Sequence, residues 1–325
     1  MTAKSIVLIT TGGTISTRDA GAGATPQLNG ADLLALLGNH ADLPSIHVVE
    51  FAKIPGCEMT PRRMAQLAAT VVDALARDDC GGAVITHGTD TIEESAFLCH
   101  LTVRSDQPTV FTGAMRTSSD LSWDGPRNLL DAIRVAASPA AHRLGTLLVM
   151  NEEIHSARFV TKSNGLVLGA FTSPACGPLG RVYNGVPMFF TQPALKRRVL
   201  APTLEEAVAT LRVLSGDRLS LTAALSRPRL RGMIIEGFGS GRVPAEWCAP
   251  LATAIEGGLV VVLASRTGAG AIGDAYGYDG SATSLLQRGL IAAHELPAHK
   301  ARLKLMLALG NGLTRDELRE YFEQE

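Results

Sequence analysis

Short apolar runs separated by stretches with helical signals set the plan of this chain. Runs at 5–10, 46–51, 82–86, 108–112 and 144–150 are apolar at consecutive rather than alternate positions, the pattern of strands covered on both faces. Helix-start signals lie between them. Thr60-Pro61 puts a capping residue before a proline at the first helical position and opens a helix over Arg62–Arg77. Asp90 and Glu93 have capping-box spacing ahead of a helix over Glu94–Val103, and a third helix covers Pro126–Ala137. This alternation implies a mostly parallel sheet with helices on both faces.

Gly177 to Pro193 is rich in glycine and proline and reads as turns or a hairpin, and Lys196 to Pro202 reads as a basic linker. Strand and helix then alternate again. Strands fit Arg231–Gly237 and Gly258–Leu263, an amphipathic helix fits Pro297–Leu309, and Thr314 with Glu317 caps the last helix. The expected class is α/β in two domains. A larger N-terminal domain over 1–193 holds a mostly parallel sheet flanked by helices. A linker covers 194–217, and a smaller Rossmann-like α/β domain covers 218–325.

Composition narrows the function classes. The 325 residues are 46% hydrophobic and 19% charged, enough for a large core. Basic and acidic residues balance, 30 against 31, with no basic stripe, which argues against nucleic acid as a partner. No apolar run reaches the roughly 20 residues that span a bilayer, so no membrane association is expected. The first strand runs straight into a motif that a cleavable leader would consume, so a cytoplasmic location is expected. The five cysteines are dispersed, without Cys-x-x-Cys, and the eight histidines form no His-Glu-x-x-His. That fits a reducing compartment and implies neither a disulfide scaffold nor a metal site.

The candidate chemistry sits where two apolar runs end. Thr11-Gly12-Gly13-Thr14 follows Ile6–Ile9, and His87-Gly88-Thr89-Asp90 follows Ala83–Ile85. In a parallel sheet the carboxyl ends of strands line the ligand crevice, so both threonines aim at one place. The first motif has the spacing of neither a dinucleotide fingerprint nor a phosphate loop. Its plain alternative is a glycine turn that ends a strand. Hydroxyls beside a carboxylate suit nucleophilic chemistry on an acyl group. A third segment, Val160-Thr161-Lys162-Ser163-Asn164, supplies a lysine that, placed near Thr89, can act as its base if burial or a second cation lowers its pKa. Taken alone, Lys162 reads as a surface residue.

Six segments occur in order: Thr11-Gly12-Gly13-Thr14-Ile15, His87-Gly88-Thr89-Asp90-Thr91-Ile92-Glu93-Glu94, Gly113-Ala114-Met115-Arg116, Asp124-Gly125-Pro126-Arg127-Asn128-Leu129, Val160-Thr161-Lys162-Ser163-Asn164 and Gly177-Pro178-Leu179-Gly180. Together they resemble the signatures of the bacterial-type L-asparaginases, the amidohydrolase family that includes glutaminase-asparaginases. The resemblance covers nearly the whole chain. It implies hydrolysis of the side-chain amide of L-asparagine through a threonine ester, with Thr14 as nucleophile. It implies a second triad in which Lys162 accepts a proton from Thr89 and Asp90 orients and contacts the substrate. Backbone N–H groups near Thr89 and Ala114 would form the oxyanion hole. Gly13, Gly56, Cys57, Glu58, Gly88 and Ala114 are the implied substrate-binding positions. The resemblance implies a small-molecule amide as substrate and no metal or organic cofactor. It also implies a homo-oligomer, a dimer of dimers with each site completed by a neighbour.

Departures from that family pattern bear on substrate. Residues 17–32 contain no tyrosine, where the family brings one onto the first threonine. Gly56 stands where the family has a serine for the substrate α-carboxylate, and Glu58 adds an acid nearby. Gly239-Ser240-Gly241 lacks the family's asparagine, and Asp274 and Asp279, near Tyr276 and Tyr278, are the candidates for the α-ammonium. These differences predict weaker L-asparagine binding and admit glutamine, D-asparagine, a succinamic-type amide or a cyclic imide. A reading from a different class is a binding protein on the same fold. The complete set Thr14, Thr89, Asp90 and Lys162 argues against it.

Overall fold

The computed structural model describes residues 4–19, 21, 23–38, 43–193, 198–273 and 275–324. The chain divides into two compact units, 1–195 and 196–325, each with its own sheet.

The first unit starts with β1 (Ser5–Gly12), a hairpin of β2 (Thr17–Asp19) and β3 (Ala24–Pro26), then α1 (Gly30–Ala35) and β4 (Ile46–Ile54). Next come α2 (Pro61–Leu75), β5 (Cys80–Thr86), α3 (Ile92–Thr102), β6 (Thr109–Thr112), α4 (Gly125–Ala137) and β7 (Thr146–Met150). β8 (Glu153–Ser156), the pair β9 (Thr161–Lys162) and β10 (Phe171–Thr172), and the hairpin β11 (Gly180–Tyr183) with β12 (Val186–Phe189) complete it. One sheet of eight strands has the order β12-β11-β8-β7-β6-β5-β1-β4. Strands β7, β6, β5, β1 and β4 run parallel to one another, and β8, β11 and β12 extend the sheet antiparallel.

Every residue of β1 is buried because both faces of the sheet are covered. Alternation along the strand sends Val7 and Ile9 into a core shared with α2 and α3, and Ile6 and Leu8 into one shared with α4. Helix α2 buries Met64, Leu67, Ala68, Val71, Ala74 and Leu75, one face at intervals of three and four. Each fully buried leucine of this kind stabilises by roughly 1.5–3 kcal/mol. Its start is as expected: the Thr60 side chain accepts from Arg63 N–H at 3.4 Å, and Pro61 fills the first position.

The second unit comprises β13 (Val208–Arg212), α5 (Ser220–Leu225), β14 (Gly232–Gly237), α6 (Cys248–Glu256), β15 (Val260–Ser265), α7 (Ala282–Gln287), β16 (Ile291–Ala292), α8 (Ala298–Gly310) and α9 (Arg315–Glu323). Its sheet is fully parallel, in the order β13-β14-β15-β16.

Three expectations need correction. The Asp90–Glu93 capping box does not form: α3 begins at Ile92, Thr91 holds the cap position but its hydroxyl does not cap the helix, and both carboxylates are engaged elsewhere. The segment 194–217 is not a linker throughout. Val208–Arg212 pairs with β14, Val208 opposite Gly232, so the second sheet starts inside it; residues 194–197 lie outside the described ones. Helix α8 is not amphipathic either. It buries Lys300 and Lys304 along with its leucines, and Lys304 Nζ lies 4.6 Å from the Tyr321 ring centroid and 5.0 Å from that of Phe322. A cation against aromatic faces keeps part of the stabilisation it loses with water. None of the described helices is long and apolar enough to cross a membrane.

Candidate active site

Four neighbouring parallel strands deliver the candidate residues to one edge of the first sheet. β4 leads into Gly56, β1 into Gly13 and Thr14, β5 into Gly88, Thr89 and Asp90, and β6 into Gly113 and Ala114. Thr10 of β1 pairs with Thr86 of β5, so the two threonine turns leave the sheet side by side. The carboxyl edge of a parallel sheet is where ligands of α/β proteins bind.

Lys162 reaches this edge from β9. Its Nζ donates to Thr89 Oγ1 and to Asp90 Oδ1, both at 2.9 Å. Thr89 is buried, while the Asp90 side chain is 62% exposed and that of Lys162 is 15% exposed, so the trio opens to solvent on the Asp90 side. The backbone N–H of Lys162 donates to the buried Glu93 Oε1 at 3.1 Å. Lys162 is therefore not a surface lysine, and the carboxylates that looked like a helix cap hold it instead.

Three glycines form the floor. A Cβ on Gly13 would lie 2.4 Å from Gly88 Cα, and a Cβ on Gly88 would lie 2.5 Å from Gly56 Cα. A Cβ on Gly56 would lie 3.0 Å from the Gly88 carbonyl carbon and oxygen. The three turns touch backbone to backbone, at Gly13 and Gly88 with a closeness that only residues without Cβ allow and at Gly56 with room for a Cβ only if the Gly88 turn yields. Gly13 also adopts φ 76°, a left-handed value that penalises any other residue. Gly56 is thus more than a missing serine hydroxyl: a side chain there presses on the turn that carries Thr89. The Thr91 hydroxyl donates to the Gly56 carbonyl at 2.6 Å and ties the same two turns.

Thr14 is half-buried at the start of a short 3-10 turn. The Gly13 carbonyl before it accepts from Ser16 N–H and Ser16 Oγ, each at 3.1 Å, and from Thr17 Oγ1 at 2.8 Å. These bonds fix the turn and leave the Thr14 hydroxyl unengaged among the described residues. The backbone N–H groups of Thr14, Thr89, Asp90 and Ala114 likewise have no acceptor among the described residues. Donors presented this way at the end of a sheet are ready for an oxyanion.

Two positions quoted only as part of a motif prove structural to the site. The Asp124 carboxylate accepts from Met115 N–H at 3.0 Å and from Arg116 N–H at 2.9 Å. Asn128 Nδ2 donates to Asp124 at 2.9 Å and to the Gly113 carbonyl at 3.0 Å, while its Oδ1 accepts from Asn151 N–H at 3.0 Å. The first turn of α4 thereby clamps the end of β6, where Ala114 sits. Their motif was the available signal, but its role depends on contacts that spacing does not encode. Beneath the Gly88 turn, His87 is fully buried, with Nδ1 2.8 Å from the Gly88 carbonyl and Nε2 2.8 Å from Ser95 Oγ. The carbonyl only accepts, so Nδ1 carries the proton and Nε2 accepts from Ser95. Burial pushes the His87 imidazole down to about 4, against an ordinary 6.5.

Cys57 and Glu58 are exposed, and Arg63 Nη1 donates to the Glu58 carbonyl at 2.7 Å. In the second unit Asp279 accepts from Arg288 at 2.7 Å, and the Tyr276 and Tyr278 rings lie 5.5 Å apart. Asp274 lies outside the described residues. The glycine-rich stretch after Thr17 is the tip of the β2–β3 hairpin, of which Ala20 and Ala22 lie outside the described residues. All five cysteines are unbridged. Among the described residues no group of three or more His, Cys, Asp or Glu side chains is arranged to hold a metal ion.

A family model described as Asparaginase, N-terminal matches residues 5–195, and one described as Glutaminase/Asparaginase C-terminal domain matches residues 207–322. The chain is 37% identical to a probable L-asparaginase of Deinococcus radiodurans, over 98% of this chain and 97% of that one. It is 32% identical to a glutaminase-asparaginase of Acinetobacter glutaminasificans, over 98% and 99%. The crystal structure of a probable cytoplasmic L-asparaginase from Campylobacter jejuni matches with a TM-score of 0.87 at 31% identity, covering 99% of this chain and all of that one.

Proposed function

This chain belongs to the asparaginase family and is an amidohydrolase, and from that premise we propose that it hydrolyses the side-chain amide of L-asparagine to L-aspartate and ammonia. The observation that carries the reading is the triad of Thr89, Lys162 and Asp90, bonded at 2.9 Å on each side of Lys162, beside the Thr14 turn of the neighbouring strand.

In this reading Thr14 Oγ adds to the amide carbon. The oxyanion that develops accepts from backbone N–H groups at Thr89 and Ala114, a kind of donor worth roughly 3–4 kcal/mol in the transition state. The proton that Thr14 Oγ gives up is transferred to the amide nitrogen, the C–N bond breaks, ammonia leaves, and the acyl group stays on Thr14 as an ester. A water then adds to the ester. Its proton passes to Thr89 as Lys162, in its neutral amine form, takes the Thr89 proton; the bond from the acyl carbon to Thr14 Oγ then breaks, the proton held by Lys162 returns through Thr89 to Thr14 Oγ, and aspartate is released. Gly13, Gly56, Cys57, Glu58 and Gly88 border the substrate, and Asp90 contacts it from the solvent side. We extend the proposal to a cytoplasmic homo-oligomer, a dimer of dimers with each site completed by a neighbouring copy. Light scattering at assay concentration tests the assembly, and an active monomer overturns it.

The function is tested by ammonia release from L-asparagine, L-glutamine, D-asparagine and succinamate, with wild type and Thr14→Val. L-asparagine should give the highest kcat/KM, and Thr14→Val should leave a folded protein without turnover. Retention of more than about a tenth of kcat, only ~1.4 kcal/mol in barrier, excludes Thr14 as nucleophile. A different best substrate replaces L-asparagine in the reading and leaves the mechanism in place.

A further inference from the structure

The second unit holds a cavity that shares no residue with the cluster above. It has a volume of about 340 Å³, and Arg227, Arg229 and Arg231 line it together with Leu230, Gly257 and Gly258. Arg231 immediately precedes β14, and Leu259 after the glycine pair immediately precedes β15. The cavity therefore lies at the amino ends of these strands, the edge opposite to their carboxyl ends.

The three guanidinium groups are unusual in this protein. Nearly every other described arginine has a hydrogen-bond, ion-pair or ring partner, as Arg212 has Glu236 and Arg288 has Asp279. Among the described residues only Arg18, Arg104, Arg227, Arg229 and Arg231 have none for their side chains, and three of those five face one cavity. Helix capping does not account for them. The last carbonyls of α5 and α6 accept from backbone N–H groups: Thr222 from Ser226, Ala224 from Arg227, Thr253 from Gly257, Ala254 from Leu259 and Ile255 from Gly258. The two helix ends contribute about half a negative charge each. With Glu256, the last residue of α6, they still leave the three arginines in excess.

The backbone is also built to hold them there. In the run Arg227-Pro228-Arg229-Leu230-Arg231, Pro228 fixes one torsion, and Arg229 adopts φ 65°, a left-handed value uncommon for a residue with a side chain. Gly257 and Gly258 add no side chain to the lining, which Leu225, Ala254 and Leu259 complete, and a Cβ on Gly258 would meet nothing within 4 Å. The volume suits a small molecule rather than a polymer. Guanidinium forks match phosphate and carboxylate oxygens two at a time. We propose that this cavity is a binding site for a compact, multiply charged anion bearing phosphate or carboxylate groups.

The test uses the full chain, with sodium pyrophosphate and trisodium citrate as probes. Sodium chloride at matched ionic strength is the control, and titration calorimetry and thermal unfolding are the readouts. Wild type should bind at least one probe saturably, and the preferred probe tells phosphate from carboxylate recognition. Arg229→Gly should raise Tm without ligand, because glycine suits the left-handed backbone, yet weaken binding about tenfold through loss of one charge-assisted contact. The triple variant Arg227→Gln, Arg229→Gln, Arg231→Gln should fold and lose binding. Arg104→Gln, at another unpartnered arginine, should bind as wild type does. The proposal is overturned if both probes act no more strongly than sodium chloride, if the triple variant binds like wild type, or if Arg104→Gln weakens binding as much as Arg229→Gly.

Discussion

Lys162 is tied to Glu93 by its main chain, not by its side chain: the Lys162 N–H donates to Glu93 Oε1 at 3.1 Å, while the side-chain Nζ points the other way, to Thr89 and Asp90. A single stretch, Thr89 to Glu93, thus grips the lysine at both ends.

Removing the head should disable the triad as a unit. Lys162→Met and Thr89→Val should each lower kcat severely, and the double variant should lose little more than either. Groups that move one proton together are non-additive in this way. Fully additive losses in kcat would separate Lys162 from Thr89 in the chemistry.

Glu93 acts by positioning. Glu93→Ala should lower kcat by about tenfold or more with little change in KM, because a small misplacement of a reacting group is costly. Glu93→Gln keeps a carbonyl acceptor for the Lys162 N–H and should restore most of kcat. If the glutamine variant is as slow as the alanine variant, the hydrogen bond is not what matters.

Gly56→Ser gives an expectation opposite to the one drawn from the missing hydroxyl alone. The new Cβ would stand 3.0 Å from the Gly88 carbonyl, so the turn bearing Thr89 has to yield. Overpacking of this kind costs about 1–3 kcal/mol of stability. A lower Tm and a lower kcat are expected, measured by thermal unfolding and steady-state kinetics on L-asparagine. A variant with unchanged Tm and an improved KM would mean that the floor accommodates the serine.

His87 makes the fold sensitive to acid. Its folded value of about 4 lies below its ordinary 6.5, so the unfolded chain takes up this proton first. The stability it confers is complete above about pH 6.5 and drains away as pH falls to about 4, by at most ~1.4 kcal/mol per pH unit. Tm measured from neutral pH to pH 4.5 should fall more steeply for wild type than for His87→Gln. Parallel slopes would place the acid sensitivity elsewhere.

The strands of both units were legible because consecutive apolar positions report burial on two faces, and helix starts were legible where a cap acts locally, as at Thr60 and Thr314. The Asp90–Glu93 spacing misled because the same carboxylates serve a lysine about 70 positions away, which local spacing does not register. Helix α8 misled because Lys300 and Lys304 are buried, against the usual habit of lysine. The strand at Val208–Arg212 was missed because its apolar positions are interrupted by Thr210 and Arg212 and it follows directly on a stretch read as linker. The substrate-facing threonines were found because glycine marks the ends of their strands. The contacts among those glycines were not, because they depend on how closely adjacent turns approach.

Gly13, Gly56 and Gly88 meet without side chains, and this constrains how the protein can change. At Gly13 and Gly88 a floor made of peptide groups offers nothing to vary: a library randomised at these two positions should return mostly dead clones, whatever amide is selected for. Variation at the exposed Cys57 and Glu58 leaves the floor intact. Selection for a new amide should therefore accumulate its substitutions at the rim, while Gly13 and Gly88 stay fixed.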